Sequence, residues 1–554
     1  MFVWPEKITY ALPETIGNTD LFVGRKKEFD FFLGRWYDRL IKNGAQSQAV
    51  VARRKKGKTA FLQRFFNILW SCPNGGVIPF YYSIPEKATT LAGFSKEFFA
   101  MCASCYLSFM SRKPEFLLRT LKTEELPEYL KEERDLRLNY QAILASEKSG
   151  DWDSMWSVAS RTPFEIAATK GIKVVQILDE FQNINEYVYN SKDKKITSMS
   201  GTYLDLAEKK EAPMVISGSE VHGLMAIIRS LTGRFRERVM ENLPEEEAKE
   251  AIRRYTQFAN WKTDDTTLDK IWQLTQGDPL YIRALAFNES IPSEGLIQEE
   301  HIVEAYSQEI TRGDIFKTWG EYIAKVFYEV NQKNAKRIML YLFSAGGERS
   351  RSQIRKDLKL EMTEVELENK LRQMLKADLI SLGSSESKYV IAQDKTYELV
   401  FRRMYQDEID HYALDVRKGI HQAMGKASNT MGKYREFLIK EAVKKPFNLK
   451  DLAENGIDLL IRPKEILERQ RVKIGVGERE IDLIVKGNQE LWIDIKDTKS
   501  KFGKSQTDRW LEIKALAPQQ KKPILFAVYS QNGYTQSALE RLKQQGVIVL
   551  RSSH

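Results

Sequence analysis

Three cysteines in 554 residues are too few for a disulfide framework. Two of them, Cys102 and Cys105, fall in the apolar run FFAMCASCYLSFM, where a C-x-x-C with no second ligand pair reads as helix core. Five scattered histidines assemble neither a metal cluster nor a Ser-His-Asp set. No stretch approaches the roughly 18 apolar residues of a membrane span, so no membrane partner is expected. The opening MFVWPEKITYALPE lacks the basic and apolar regions of a secretory signal, and a cytoplasmic protein is expected. Internal repeats and long low-complexity tracts are also missing. What is present is a globular composition, 42% hydrophobic, 29% charged and 11% aromatic, on a chain long enough for three or four domains. The net charge of +10 suits a phosphate-rich partner, although solubility accounts for it equally.

Two segments carry chemistry. In AVVARRKKGKTAFLQRFF an apolar strand runs into a basic loop and a helix that opens at Gly57-Lys58-Thr59. Backbone N–H groups of such a loop and the helix N-terminus form a concave anion site, Lys58 reaches terminal phosphates, and the Thr59 hydroxyl ligates Mg²⁺. The usual pattern is G-x-x-x-x-G-K-S/T; Ala52 replaces the first glycine, which assists a turn but contributes no side chain. Arg53, Arg54, Lys55 and Lys56 read as a solvated basic loop. Downstream, KVVQILDEFQNI is an apolar strand ending in Asp179-Glu180, which suits Mg²⁺ binding by Asp179 and orientation of the attacking water by Glu180. In PMVISGS, Ser217 or Ser219 is expected at a sensor position between those two strands, touching the γ-phosphate.

The second segment, EREIDLIVKGNQELWIDIKDTK, sets Asp482 on one strand and Asp494 and Lys496 on one face of the next. Two carboxylates for Mg²⁺ and a lysine for the water or the developing charge are what phosphodiester cleavage needs. Trp492, Ile493 and Ile495 predict a partly enclosed acid. The helix MGKYREFLIKEAV offers Glu436 as a further carboxylate, with Glu441 the less favoured rival. Between the two segments the pattern turns helical from Leu243, with a break at 277–279, and then reads helix, helix, helix and hairpin over 334–405, a winged helix-turn-helix outline. Its third helix carries Glu364, Glu366 and Glu368 beside Lys370, Arg372 and Lys376, so DNA binding and a packing role stay equally open.

LFVGRKKEFDFF, with its F-x-G-R-x-x-E pattern, together with DEFQ, ISGSE and LTGRFRE in that order, resembles archaeal-type P-loop ATPases of the STAND and AAA+ group over residues 20–310. The resemblance implies a lid in which Pro279 of a G-x-P motif nears the base, and Arg234 or Arg236 as an arginine finger acting on a neighbouring copy in a homo-oligomer. The last 125 or so residues resemble the PD-(D/E)xK nuclease fold in the order helix, hairpin with Asp and Asp-x-Lys, helix, strand. The expected fold is thus multidomain α/β. It comprises a strap (1–19), a parallel-sheet P-loop NTPase core (20–242), a helical lid (243–320), a winged helix (321–405), a helical connector (406–430) and a restriction-endonuclease-like α/β domain (431–554). The expected function is an ATP- and Mg²⁺-dependent ATPase controlling a nuclease that cuts DNA in preference to RNA, in prokaryotic defence or mobile-element control. A non-hydrolysing sensor or scaffold and a DNA-processing motor are the alternatives.

Overall fold

The computed structural model describes residues 2–72, 76–189, 199–231, 233–291, 297–329, 332–377, 379–391, 394–410, 443–444, 446–455, 457–475, 477–496, 501–518, 523–530 and 533–550. The chain divides into two compact units, Met1–Ile420 and His421–His554.

In the first unit the short β-branched runs become parallel strands: β1 (Ser47–Val51), β2 (Val77–Ser83), β3 (Lys173–Asp179), β4 (Met214–Gly218) and β5 (Phe235–Val239). Their order is β2-β3-β4-β1-β5, every neighbouring pair parallel. Both faces of the sheet are covered, which is why β1 and β4 are buried along their whole length and read as continuous apolar runs rather than alternating ones. Helix α1 (Lys58–Ser71) follows β1, while α2 (Leu91–Ser111), which buries both Cys102 and Cys105, packs with α3 (Trp152–Lys170). Because the strands are parallel, their C-terminal ends share one edge, and β1 meets β4 there through Val51 and Gly218. The chain order reverses beside β1, leaving a crevice above that edge.

Helices α4 (Glu245–Phe258), α5 (Asp265–Thr275), α6 (Pro279–Ala286) and α7 (Glu299–Thr311) follow the sheet, then α8 (Asp314–Glu329). Next come α9 (Gln332–Ala345), strand β6 (Arg349–Ser350), α10 (Arg351–Asp357), α11 (Glu364–Lys376) and strands β7 (Ser381–Leu382) and β8 (Lys388–Val390). The three strands form an antiparallel sheet in the order β6-β8-β7. Helix α12 (Lys395–Asp410) runs across the boundary expected at 405/406.

The second unit holds a five-stranded sheet, β9 (Pro463–Ile474), β10 (Gly477–Gly487), β11 (Leu491–Lys496), β12 (Leu525–Ser530) and β13 (Ile548–Val549), in that order. β9, β10 and β11 pair antiparallel; β11, β12 and β13 pair parallel. One face packs Leu483, Ile493 and Ala527; the other packs Trp492 and Phe526 against α13 (Lys504–Leu516) and α14 (Gln536–Gln544). Glu436 and Glu441 lie outside the described residues.

The N-terminal strap is stitched to α1. The Asn67 side chain accepts from Leu12 N and donates to Leu12 O, both at 2.9 Å, Thr15 N donates to Gln63 Oε1 at 2.8 Å, and Arg64 grips Glu14 at 2.8 and 2.9 Å. Since Asn67 is fully buried, Asn67→Leu strands both polar groups of Leu12 without water, and a loss of about 2–3 kcal/mol in a denaturant titration is expected.

Candidate functional site

The loop 52–57 closes on itself and on the strand ends beside it. Gly57 takes φ 82°, a left-handed conformation that glycine adopts without a Cβ penalty, and thereby aims the first turn of α1 at the crevice. Lys58 Nζ donates to the carbonyls of Ala52 (2.7 Å) and Arg53 (3.1 Å), so the lysine spans the loop from its buried first residue. Thr59 Oγ1 donates to Asp179 Oδ2 at 2.7 Å. The same carboxylate receives Glu180 N (3.0 Å), the Tyr81 hydroxyl (3.3 Å) and the Ser217 hydroxyl. Glu180 in turn accepts from Ser219 N (3.0 Å) and Ser219 Oγ (2.8 Å). Of the two serines weighed for the sensor position, Ser219 lines the pocket, whereas Ser217 is fully buried against Asp179 behind it.

The pocket above these groups has a volume of about 860 Å³, ample for a nucleoside triphosphate. Gly57, Lys58, Thr59, Glu180 and Ser219 stand at one end; Ile16, Phe22, Leu243, Tyr255 and Pro279 supply apolar walls. Thr318, Glu321 and Tyr322 of α8 also line it. The hydroxyl and carboxylate of Thr59 and Asp179 are hard oxygen donors already side by side, a set that fits Mg²⁺.

Only Lys55 of the basic loop is exposed as expected; Arg53, Arg54 and Lys56 are engaged by other elements. Lys56 pairs with the buried Asp278 and donates to Asn242, and Asp278 also caps α6 through Leu280 N at 2.9 Å. Arg53 lies between the rings of Trp319 (5.0 Å) and Tyr397 (4.9 Å) and 3.6 Å from Asp394, while Arg54 covers Tyr322 at 5.5 Å. Burial disfavours the Arg53 charge, but Asp394 and the surrounding tyrosines more than offset that and raise its pKa. The loop gives up solvation because lid and α8 and α12 side chains replace it. Arg25 of the F-x-G-R box, buried beside Gly57, braces the loop by donating to Lys56 O and Glu241 O, each at 2.6 Å. Arg25, Arg54, Lys55 and Arg283 line the pocket along with Lys58. Arg234 and Arg236 sit at the opposite, N-terminal edge of the sheet, where Arg236 donates to Gln46 at 2.6 Å and Arg234 to Leu204 O at 2.9 Å. Neither reaches the pocket of its own copy. In α11, Lys370 is buried rather than presented, and Glu364 and Glu368 are engaged by Arg351, Arg355 and Arg372.

In the second unit, continuing the register past Leu483↔Ile493 sets Asp482 opposite Asp494. Asp482 Oδ2 accepts from Ile495 N at 2.7 Å, and Lys496 Nζ lies 3.1 Å from Asp494. Burial raises the Asp494 pKa to about 6, with Asp482 adding to the rise and Lys496 opposing it. Among the described residues no cluster of three or more His, Cys, Asp or Glu side chains occurs, so the described part of this site is a two-carboxylate one. Among the same residues no helix is long and apolar enough to cross a membrane.

Two outcomes follow from these contacts. Lys56→Met leaves Asp278 buried without its cation, and a loss of about 3–5 kcal/mol in thermal or denaturant unfolding is expected, with Lys56→Met/Asp278→Leu losing less than the two single changes summed. Asp494 holds its proton more tightly folded than unfolded. Its contribution to stability is therefore full below about pH 4 and is lost as pH rises through about 6, and Asp494→Asn removes that slope. Melting curves from pH 4 to 8 check this, and added Mg²⁺ should restore stability on the alkaline side in wild type alone.

No family model and no curated protein matches the chain. Among solved structures, the Walker-type ATPase PABY2304 of Pyrococcus abyssi has a TM-score of 0.47 at 15% identity, covering 71% of this chain and 99% of its own. ORC2 of Aeropyrum pernix in its ADP form gives 0.39 at 12%, covering 73% and 97%. The RuvB Holliday junction branch migration motor of Thermotoga maritima gives 0.33 at 11%, covering 71% and 98%. At such scores likeness carries no weight for function, which is judged from the site's own geometry. On that geometry, the first unit is a parallel α/β sheet whose strand ends bring a glycine-lysine-threonine turn and the Asp179-Glu180 pair to one pocket.

Proposed function

We propose that this chain is an Mg²⁺-dependent ATPase of the STAND/AAA+ type whose C-terminal unit is a metal-dependent nuclease of the PD-(D/E)xK kind, acting on DNA. The observation that carries the first half is that Lys58, Thr59 and Glu180 line one nucleotide-sized pocket, with the buried Asp179 bonded to Thr59 behind them. Lys58 would meet the terminal phosphates and Glu180 would hold the attacking water. Mg²⁺, when bound, would neutralise phosphate charge; Thr59 and Asp179 would hold it here, and Asp482 and Asp494 in the second unit. Pro279, which lines the pocket beside Gly57, would meet the base.

The second half is supported by Asp482, Asp494 and Lys496 lying together on adjacent strands, with Asp494 buried and Lys496 only partly offsetting the cost of its charge. Residues 321–405 are proposed as a winged helix. With α11 carboxylates paired and Lys370 buried, that module serves packing better than groove binding. Arg234 or Arg236, unable to reach the pocket of its own copy, is proposed as a finger to a neighbouring copy in a homo-oligomer. Control of DNA cleavage by nucleotide, in defence or mobile-element control in the cytoplasm, is the setting proposed. One observation favours the sensor reading as a second choice: Arg53 and Arg54 bind the phosphate loop to α8 and α12, an arrangement suited to a slow switch rather than a fast motor.

A single set of variants tests both halves. Lys58→Ala should abolish ATP binding in calorimetry, and Glu180→Gln should keep binding while hydrolysis falls on the order of 100-fold or more. Asp482→Ala, Asp494→Ala and Lys496→Ala should each abolish Mg²⁺-dependent DNA cleavage with ATP binding intact, the lysine variant keeping its metal. Wild-type cleavage of nothing under any nucleotide condition, or an active Asp494→Ala, removes the nuclease half and leaves the sensor.

A further inference from the structure

Glu180, like Arg25 and Lys55, lines the pocket with a left-handed backbone. Its φ of 53° and ψ of 43° place it in the left-handed region, disfavoured for any residue with a Cβ, and such strain persists only where surrounding contacts impose it. Here the contacts converge on one atom. Glu180 Oε2 accepts from Gln182 Nε2 at 2.6 Å, Ser219 Oγ at 2.8 Å and Ser219 N at 3.0 Å. Glu180 and Ser219 line the pocket; Gln182 does not, and is only 3% exposed. At its other end Gln182 Oε1 is buried with no hydrogen-bond partner among the described residues. That oxygen occupies the space a Cβ on residue 218 would fill, so the glycine at the end of β4 is what admits the amide.

A buried amide with one end unpaired is costly, and fold stability alone gives no reason to keep it. We propose that Gln182, seated against Gly218, is a positioning residue for Glu180. Together with Ser219 it ties down Oε2, so that Oε1 is the oxygen turned to the water that attacks ATP. The hydroxyl of Ser219 thus serves the carboxylate before it serves any phosphate. This rests on the ATPase reading above and adds to it a device that acts on turnover and not on nucleotide affinity.

The test is steady-state ATP hydrolysis together with calorimetric ATP binding on the full chain, for wild type, Gln182→Leu, Gly218→Ala, Ser219→Ala and Ser219→Thr. Gly218→Ala leaves every donor in the sequence and only displaces the amide; beyond Gln182 its new methyl meets nothing closer than Leu224 Cβ at 3.5 Å. Gln182→Leu and Gly218→Ala should each lower kcat by about 10- to 100-fold with ATP affinity within about twofold of wild type. The double variant should be no slower than the slower single one, since both act through one contact. Ser219→Ala should be slowed and Ser219→Thr restored. Unchanged kcat in both Gln182→Leu and Gly218→Ala overturns the proposal. So does a rise in kcat, which would make the pair a restraint, and so does a loss of affinity as large as the loss of kcat. A wild type that binds ATP but never hydrolyses it would instead overturn the ATPase reading itself.

Discussion

The first unit is organised around one buried carboxylate. Asp179 is 1% exposed, and a group of that kind inside a protein is tolerated only when its oxygens are hydrogen-bonded. Its donors come from four separate stretches of chain: Thr59 at the start of α1, Tyr81 on β2, Ser217 on β4, and the N–H of Glu180. No two of those side-chain donors are close in sequence, so satisfying the carboxylate aligns the phosphate loop with three strand ends at once. The strand order makes this feasible by inserting β4 between β1 and β3, which brings Ser217 beside the acid and moves Ser219 up to the pocket. Burial drives the Tyr81 phenol pKa far upward, Asp179 reinforcing it, and the hydroxyl is thereby kept as a donor.

Much of this was legible in sequence, for a local reason. Buried parallel strands are short uninterrupted apolar runs, and Gly57-Lys58-Thr59 and Asp179-Glu180 fall at strand ends, where a polar break after such a run stands out. In the second unit the alternation in LWIDIK assigns Asp494 and Lys496 to one face, and they lie 3.1 Å apart. What local pattern did not disclose is pairing at a distance. Lys56 finds Asp278 and Arg53 finds Asp394, more than 200 residues away, so four consecutive basic residues read as solvated when two are neutralised by partners from other elements. Gln182 was hidden differently. It reads as a polar residue after a strand, and only the empty space at Gly218 reveals its fixed seat.

The loop also explains why a glycine and a proline recur around it. Gly277 adopts φ 72° with Leu243 O where a Cβ would stand, which lets the chain turn tightly into α6 and sets Asp278 under Lys56. Pro279 follows at the first helical turn, where its missing N–H costs nothing, and it faces the pocket. Gly24 is similarly required, since a Cβ there would strike Glu247, whose carboxylate receives Arg25 N at 2.7 Å and fixes the arginine under the loop. The phosphate loop is thus held from below by Arg25 and from the side by the lid. Its own sequence need not supply every stabilising turn, which accounts for Ala52 in place of glycine.

The two units handle buried acid in opposite ways. Asp179 is surrounded by neutral donors and needs no counter-charge to stay folded. Asp494 is buried, and burial is what lifts its pKa to about 6, with the lysine beside it opposing the rise and the like charge of Asp482 opposite adding to it. A site that is neutral only when protonated or when a cation arrives binds that cation with the electrostatic work it otherwise stores. The two acids thus differ in their surroundings: Asp179 is a hub of hydrogen bonds from separate elements, while Asp494 is a buried acid beside one like charge and one lysine.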